Sequence, residues 1–85
     1  YGDAGDDIIR LFVNAGKKNK IRAKDIVGAF AGEAGIPGKS IGHVDIYDDY
    51  TFVDVPAEYA KDIIVAMKNN KIKGKKVNIE IAKKK

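Results

Sequence analysis

IGHVDIYDDYTFVDV, residues 41 to 55, decides how the rest of the chain is read. Its first part alternates, with Val44 and Ile46 on one side and His43, Asp45 and Tyr47 on the other, which is the period of a half-buried strand. Its last part, Tyr50 to Val55, is β-branched and aromatic, and Asp48 with Asp49 supplies a short turn between the two. The stretch is expected to form an antiparallel hairpin with one face in a core and the other in solvent.

Upstream, Ile8 to Asn14 alternates in the same way, Ile9, Leu11 and Val13 opposing Ile8, Arg10, Phe12 and Asn14. Between that strand and the hairpin, Ile26, Val27, Phe30, Ala31 and Ala34 recur at helical spacing within Lys24 to Ala34. Gly35 is a candidate cap, and Pro37 with Gly38 marks a turn. Downstream, Pro56 ends the hairpin and opens a helix from about Ala57 to Lys68, its apolar stripe formed by Ala60, Ile63, Ile64 and Met67. A last strand, Lys76 to Ile81, turns Val77, Ile79 and Ile81 inward. The order βαββαβ with right-handed crossovers predicts an α+β, ferredoxin-like fold of the kind RRM domains use. It is a four-stranded antiparallel sheet with two helices on one face and the other face open.

An 85-residue chain buries one modest core, so a single domain is expected. It contains no cysteine, which excludes disulfides, thiolate metal sites and cysteine nucleophiles. A cytoplasmic location is the expectation. Apolar runs are a few residues long, far short of the ~20 that cross a bilayer. Residues 1 to 7, YGDAGDD, carry three aspartates and no base and read as a disordered acidic linker, which makes the chain an expected piece of a longer protein. The domain proper is then 8 to 82, and Lys83 to Lys85 form a basic tail.

Net charge is +4, and residues 8 to 85 set sixteen basic side chains against nine acidic ones. Ten of the sixteen fall in two stretches, GKKNKIRAK (16 to 24) and KNNKIKGKK (68 to 76). Alternating strand directions bring the loop after the first strand, the hairpin turn and the loop before the last strand to one end. Lys17, Lys18, Lys20 and Arg22 are therefore expected near Lys71, Lys73 and Lys75, a surface for a polyanion such as RNA. Lys24 would reinforce the positive end of the first helix, whose leading N–H groups suit a phosphate. Arg22 can fork onto a phosphate or a guanine edge, whereas lysines act as point charges.

The open face has its own candidates. Phe12, Tyr50 and Phe52 alternate onto it and could stack unpaired bases, or they could simply pack across strands. Asp45, Asp54 and Glu80 share that face and repel phosphate. Asn14 and Asn19 could read a base or close the loop by hydrogen bonds. No catalytic residue is expected: His43 has no nucleophile or second base near it in sequence. Gly16, Lys17 and Lys18 lack the leading glycine and trailing hydroxyl of a Walker A loop, and an acylphosphatase shares only a glycine followed at a distance by arginine. The scattered acids beside His43 lack metal-ligand spacing, so neither metal nor cofactor is expected.

LFVNAGKKNKIRAKDIVGAFAGEAGIPGKSIGHVDIY, YTFVDV and KIKGKKV, in that order and spacing, resemble the DbpA-type C-terminal RNA-binding domain of bacterial DEAD-box RNA helicases. The resemblance spans Ile8 to Ile81, and its most specific pieces are Gly16 to Gly28, Ile41 with Gly42, and Lys71 to Lys75. It implies a monomeric, non-catalytic, RRM-like accessory domain that tethers a helicase core in the same parent chain to structured RNA. In the DbpA branch that RNA is a hairpin of 23S ribosomal RNA, which places the parent in ribosome assembly. It implies RNA contact by Lys17, Lys18, Lys20, Arg22, Lys24, Lys71, Lys73 and Lys75. Asp48 and Asp49 stand where an RRM aromatic strand has a base and a glycine. A protein-interaction module with Tyr47, Tyr50 and Phe52 as its patch is the competing reading.

Overall fold

The computed structural model describes residues 8–68 and 70–82; the linker and tail expected at 1–7 and 83–85 lie outside them. In chain order the elements are β1 (Ile8–Val13), α1 (Ala23–Ala34), β2 (Val44–Ile46), β3 (Thr51–Pro56), α2 (Ala57–Met67), β4 (Lys71–Ile72), β5 (Lys75–Lys76) and β6 (Ile79–Ile81). Single turns of 3₁₀ helix occupy Lys17–Asn19 and Gly38–Ser40. The main sheet has the order β2-β3-β1-β6 with every pair antiparallel, and β4 and β5 form a separate two-stranded ribbon. This is the α+β arrangement the alternation predicts.

Period-2 alternation becomes two chemically distinct faces. Leu11 and Val13 of β1 with Val53 and Val55 of β3 are fully buried, in one core with Ile26 and Phe30 of α1 and Ile63 and Met67 of α2. Truncating a residue as enclosed as Phe30 to alanine costs about 3–5 kcal/mol. On the opposite face the register sets Arg10 across from Asp54, Phe12 across from Phe52 and Glu80, and Asp45 across from Phe52. α1 ends where Gly35 takes φ 70° and its N–H donates to the Ala31 carbonyl at 2.9 Å, a left-handed cap.

Several boundaries differ from the sequence reading, among them the end of β1, the start of α1 and the end of β3 by one residue each. The hairpin's regular pairing is shorter, because Gly42 and His43 bond to β3 outside the ladder, Gly42 N–H to the Asp54 carbonyl and Asp54 N–H to the His43 carbonyl. Tyr50 lies just outside β3, its carbonyl accepting from Tyr47 N–H at 2.8 Å to close the turn. The α2 helix ends at Met67 rather than Lys68. The strand expected over Lys76 to Ile81 is split: Val77 is buried, Asn78 bonds to Asn14, and only Ile79–Ile81 joins the sheet. Ile81, expected inward, is 53% exposed, since β6 is an edge strand.

Candidate nucleic-acid interface

The loop after β1 is built by backbone contacts onto the β2–β3 turn. Lys17 N–H donates to the Tyr47 carbonyl (2.8 Å) and Lys18 N–H to the Asp48 carbonyl (2.9 Å). Only glycine fits at position 16: a Cβ there would stand 2.8 Å from Tyr50 N, 2.9 Å from the Asp48 oxygen and closer still to the Tyr47 oxygen. Thr51, fully buried, donates its hydroxyl to the Ala15 carbonyl at 2.8 Å. The two asparagines close the loop. The Asn14 side-chain oxygen accepts from Asn78 N–H (2.8 Å), and that of Asn19 accepts from Gly16 N–H (3.2 Å). The basic side chains of the loop thus project from a backbone pinned at both ends.

Lys73 reaches the same place from the other side. The loop expected at KIKGK is a tight hairpin: Ile72 pairs with Lys75, and the two central residues, Lys73 and Gly74, have φ 55° and 80°. Positive φ at both positions is what a type I′ turn requires, and Lys73 holds it at a steric cost that glycine escapes. Buried Ile72 anchors the ribbon to the core.

Lys17, Lys20, Arg22, Lys24 and Lys73, with Ile21 as floor, line one open cavity of about 540 Å³. Of the cations expected to converge, Lys17, Lys18, Lys20 and Arg22 with Lys71, Lys73 and Lys75, the cavity brings together Lys17, Lys20, Arg22 and Lys73. Lys71 and Lys75 are not among the lining residues; the ribbon's register pairs Lys75 with Ile72 and so puts Lys71 on the opposite face from Lys75. Lys18 is diverted as well, its ammonium 3.1 Å from Asp49. Ahead of α1, the Asp25 carboxylate accepts from Arg22 N–H at 3.0 Å and sets one negative charge in the first helical turn. Asp25 follows Lys24 by one position, and its capping role is legible from an acid in the first helical turn.

The open sheet face holds four aromatic rings in one cluster. Phe12 and Tyr50 lie with centroids 5.8 Å apart and Tyr47 and Tyr50 5.0 Å apart, both near parallel, while Phe52 meets Tyr50 edge-on at 5.5 Å. Arg10 bridges Asp54 (3.1 Å) and Asp45 (3.5 Å) and sits 5.2 Å from the centre of the Phe52 ring. His43 lies 2.7 Å from Asp45. Nothing in the sequence singles out Arg10: cross-strand register pairs it with Asp54, and register is not readable from composition. Among the described residues no group of three or more His, Asp or Glu side chains could hold a metal ion.

Residues 10–81 match the family described as the DbpA RNA binding domain. The chain belongs to that family. Among its relatives, this DbpA-family domain is 37% identical over 78 residues to the ATP-dependent RNA helicase DbpA of Bacillus subtilis, covering 92% of this chain and 16% of that protein. It is 32% identical over 75 residues to the ATP-dependent RNA helicase DeaD of Buchnera aphidicola, covering 88% and 12%. With DbpA of Escherichia coli it shares 30% over 77 residues, 91% of this chain and 17% of that one. The domain thus spans a minor part of each curated helicase it matches.

Proposed function

We propose that this domain binds RNA at its basic end and is the non-catalytic accessory domain of a cytoplasmic DEAD-box ATP-dependent RNA helicase, tethering the helicase core to structured RNA. The observation that carries the reading is the cavity where Lys17, Lys20, Arg22 and Lys24 meet Lys73, five cations with no carboxylate among the lining residues. Such a cluster contributes affinity through phosphates and counterion release and fixes the register of the bound strand. Arg22 alone among them can fork onto a guanine edge. Lys71 and Lys75 stand outside the cavity and add to the surrounding potential, while Lys18 is partly neutralised by Asp49. Phe12, Tyr50 and Phe52 cluster on the open sheet face, where stacking of a splayed base is the finer expectation.

The finer target is the 23S ribosomal RNA hairpin of the DbpA branch, in ribosome assembly, with the domain acting as a monomer. Titrating the chain with that hairpin and with a scrambled hairpin of equal length, at two salt concentrations, tests the whole reading. Preferential, salt-sensitive binding of the ribosomal hairpin supports it. Equal binding reduces the domain to a general RNA grip, and no binding to either overturns it. At fixed salt, Lys20→Ala and Lys73→Ala should each weaken binding about five-fold, roughly 1 kcal/mol, and Lys18→Ala should do less because its charge is already shared.

A further inference from the structure

We propose that the open sheet face, at the edge formed by Tyr47, Tyr50, Asp48 and Asp49, is a docking site for an arginine-bearing basic peptide segment of a partner protein. Residues 8–82 contain nine carboxylates. Five of them, Asp45, Asp48, Asp49, Asp54 and Glu80, lie on this face or its rim, against Asp25, Glu33, Glu58 and Asp62 elsewhere. A domain whose net charge is positive has therefore gathered most of its acid around its aromatic cluster. Among the described residues Arg10, Lys18 and His43 pair with those carboxylates, while Asp48 and Glu80 have no ion-pair partner there.

The face already contains one example of the recognition it would perform. The Arg10 guanidinium lies over the Phe52 ring at 5.2 Å while reaching the Asp45 and Asp54 carboxylates, which combines cation–π attraction with ion pairing. Beside it, the same combination stands open. Tyr47 and Tyr50 are 45% and 36% exposed, and with Asp48, Asp49, Ile46 and Lys17 they line a concavity of about 340 Å³. Arginine suits it better than lysine, since its planar group stacks on a ring and forks to a carboxylate. A phosphate backbone suits it poorly, because the carboxylates oppose it. The RNA-binding end and this face are joined through the Lys17 and Lys18 backbone bonds to the β2–β3 turn, so both surfaces can be occupied on one domain without sharing ligands other than Lys17.

The test is amide chemical-shift mapping of the intact chain with an eight-residue arginine–glycine peptide, a glutamine–glycine peptide of the same length, and an eight-nucleotide single-stranded RNA. The arginine peptide should shift Tyr47 to Phe52 and leave Lys73 and Ala23 unmoved, and the glutamine peptide should do nothing. Tyr47→Ala should weaken the peptide about five-fold while leaving binding of the structured hairpin unchanged, and Asp48→Asn should weaken the peptide as well; both positions are exposed, so folding is retained. If the oligonucleotide moves Tyr47 to Phe52 and the peptide does not, the face is a base-stacking platform and the proposal is overturned. Lack of any response to the arginine peptide overturns it equally, and neither result bears on RNA binding at the basic end, which the hairpin titration reads separately.

Discussion

Two single residues hold the interface in shape, and each separates geometry from charge. Gly16 is enclosed by backbone atoms of the β2–β3 turn, which cannot retreat as a flexible side chain would. Gly16→Ala should cost about 1–3 kcal/mol in urea unfolding, the range for overpacking a tight site, and broaden the amide signals of Lys17 to Lys20. Lys73 has φ 55° at the tip of its hairpin. Lys73→Asn keeps a residue that tolerates the left-handed region and removes the cation. Its melting temperature should match or slightly exceed that of the parent chain while RNA affinity falls about five-fold; a loss of stability instead would mean that the lysine stem, not its charge, matters there.

At the scale of elements, the pieces the sequence displays best are those whose burial follows a simple period. Leu11, Val13, Val53 and Val55 alternate into the core, and Ile26, Phe30, Ile63 and Met67 recur on helical faces; periodicity alone places them. The β4–β5 ribbon was not legible in this way. Each of its strands is two residues long, and its turn residue is a lysine rather than the asparagine or glycine that announces a type I′ turn. Arg10's pairing with Asp45 and Asp54 was likewise hidden, because it depends on register across three strands. The lysine convergence was legible, since it needs only strand direction. The ribbon's docking rests on Ile72, so Ile72→Ala should destabilise the domain by about 2–4 kcal/mol. Hydrogen exchange at Lys71 to Lys76 should accelerate more than in β1 and β3.

Across the whole molecule, cations and carboxylates are sorted onto different surfaces, five cations around one cavity at the loop end and five carboxylates over the sheet. That separation makes the ionic-strength response diagnostic of which surface a ligand uses. A single-stranded segment whose phosphates meet Lys17, Lys20, Arg22, Lys24 and Lys73 should give a slope of log K against log salt near −3.5, about −0.7 per contact. Removing one of the five should bring it to about −2.8 by the same proportionality. Substituting Tyr47 or Tyr50 should leave the slope unchanged even if affinity shifts, because a ring releases no counterion. Fluorescence anisotropy across a salt series reads these slopes directly. A slope near zero would remove the basic cavity from RNA binding, and a slope that survived the loss of Lys20 and Lys73 together would move the contact to other cations of the chain.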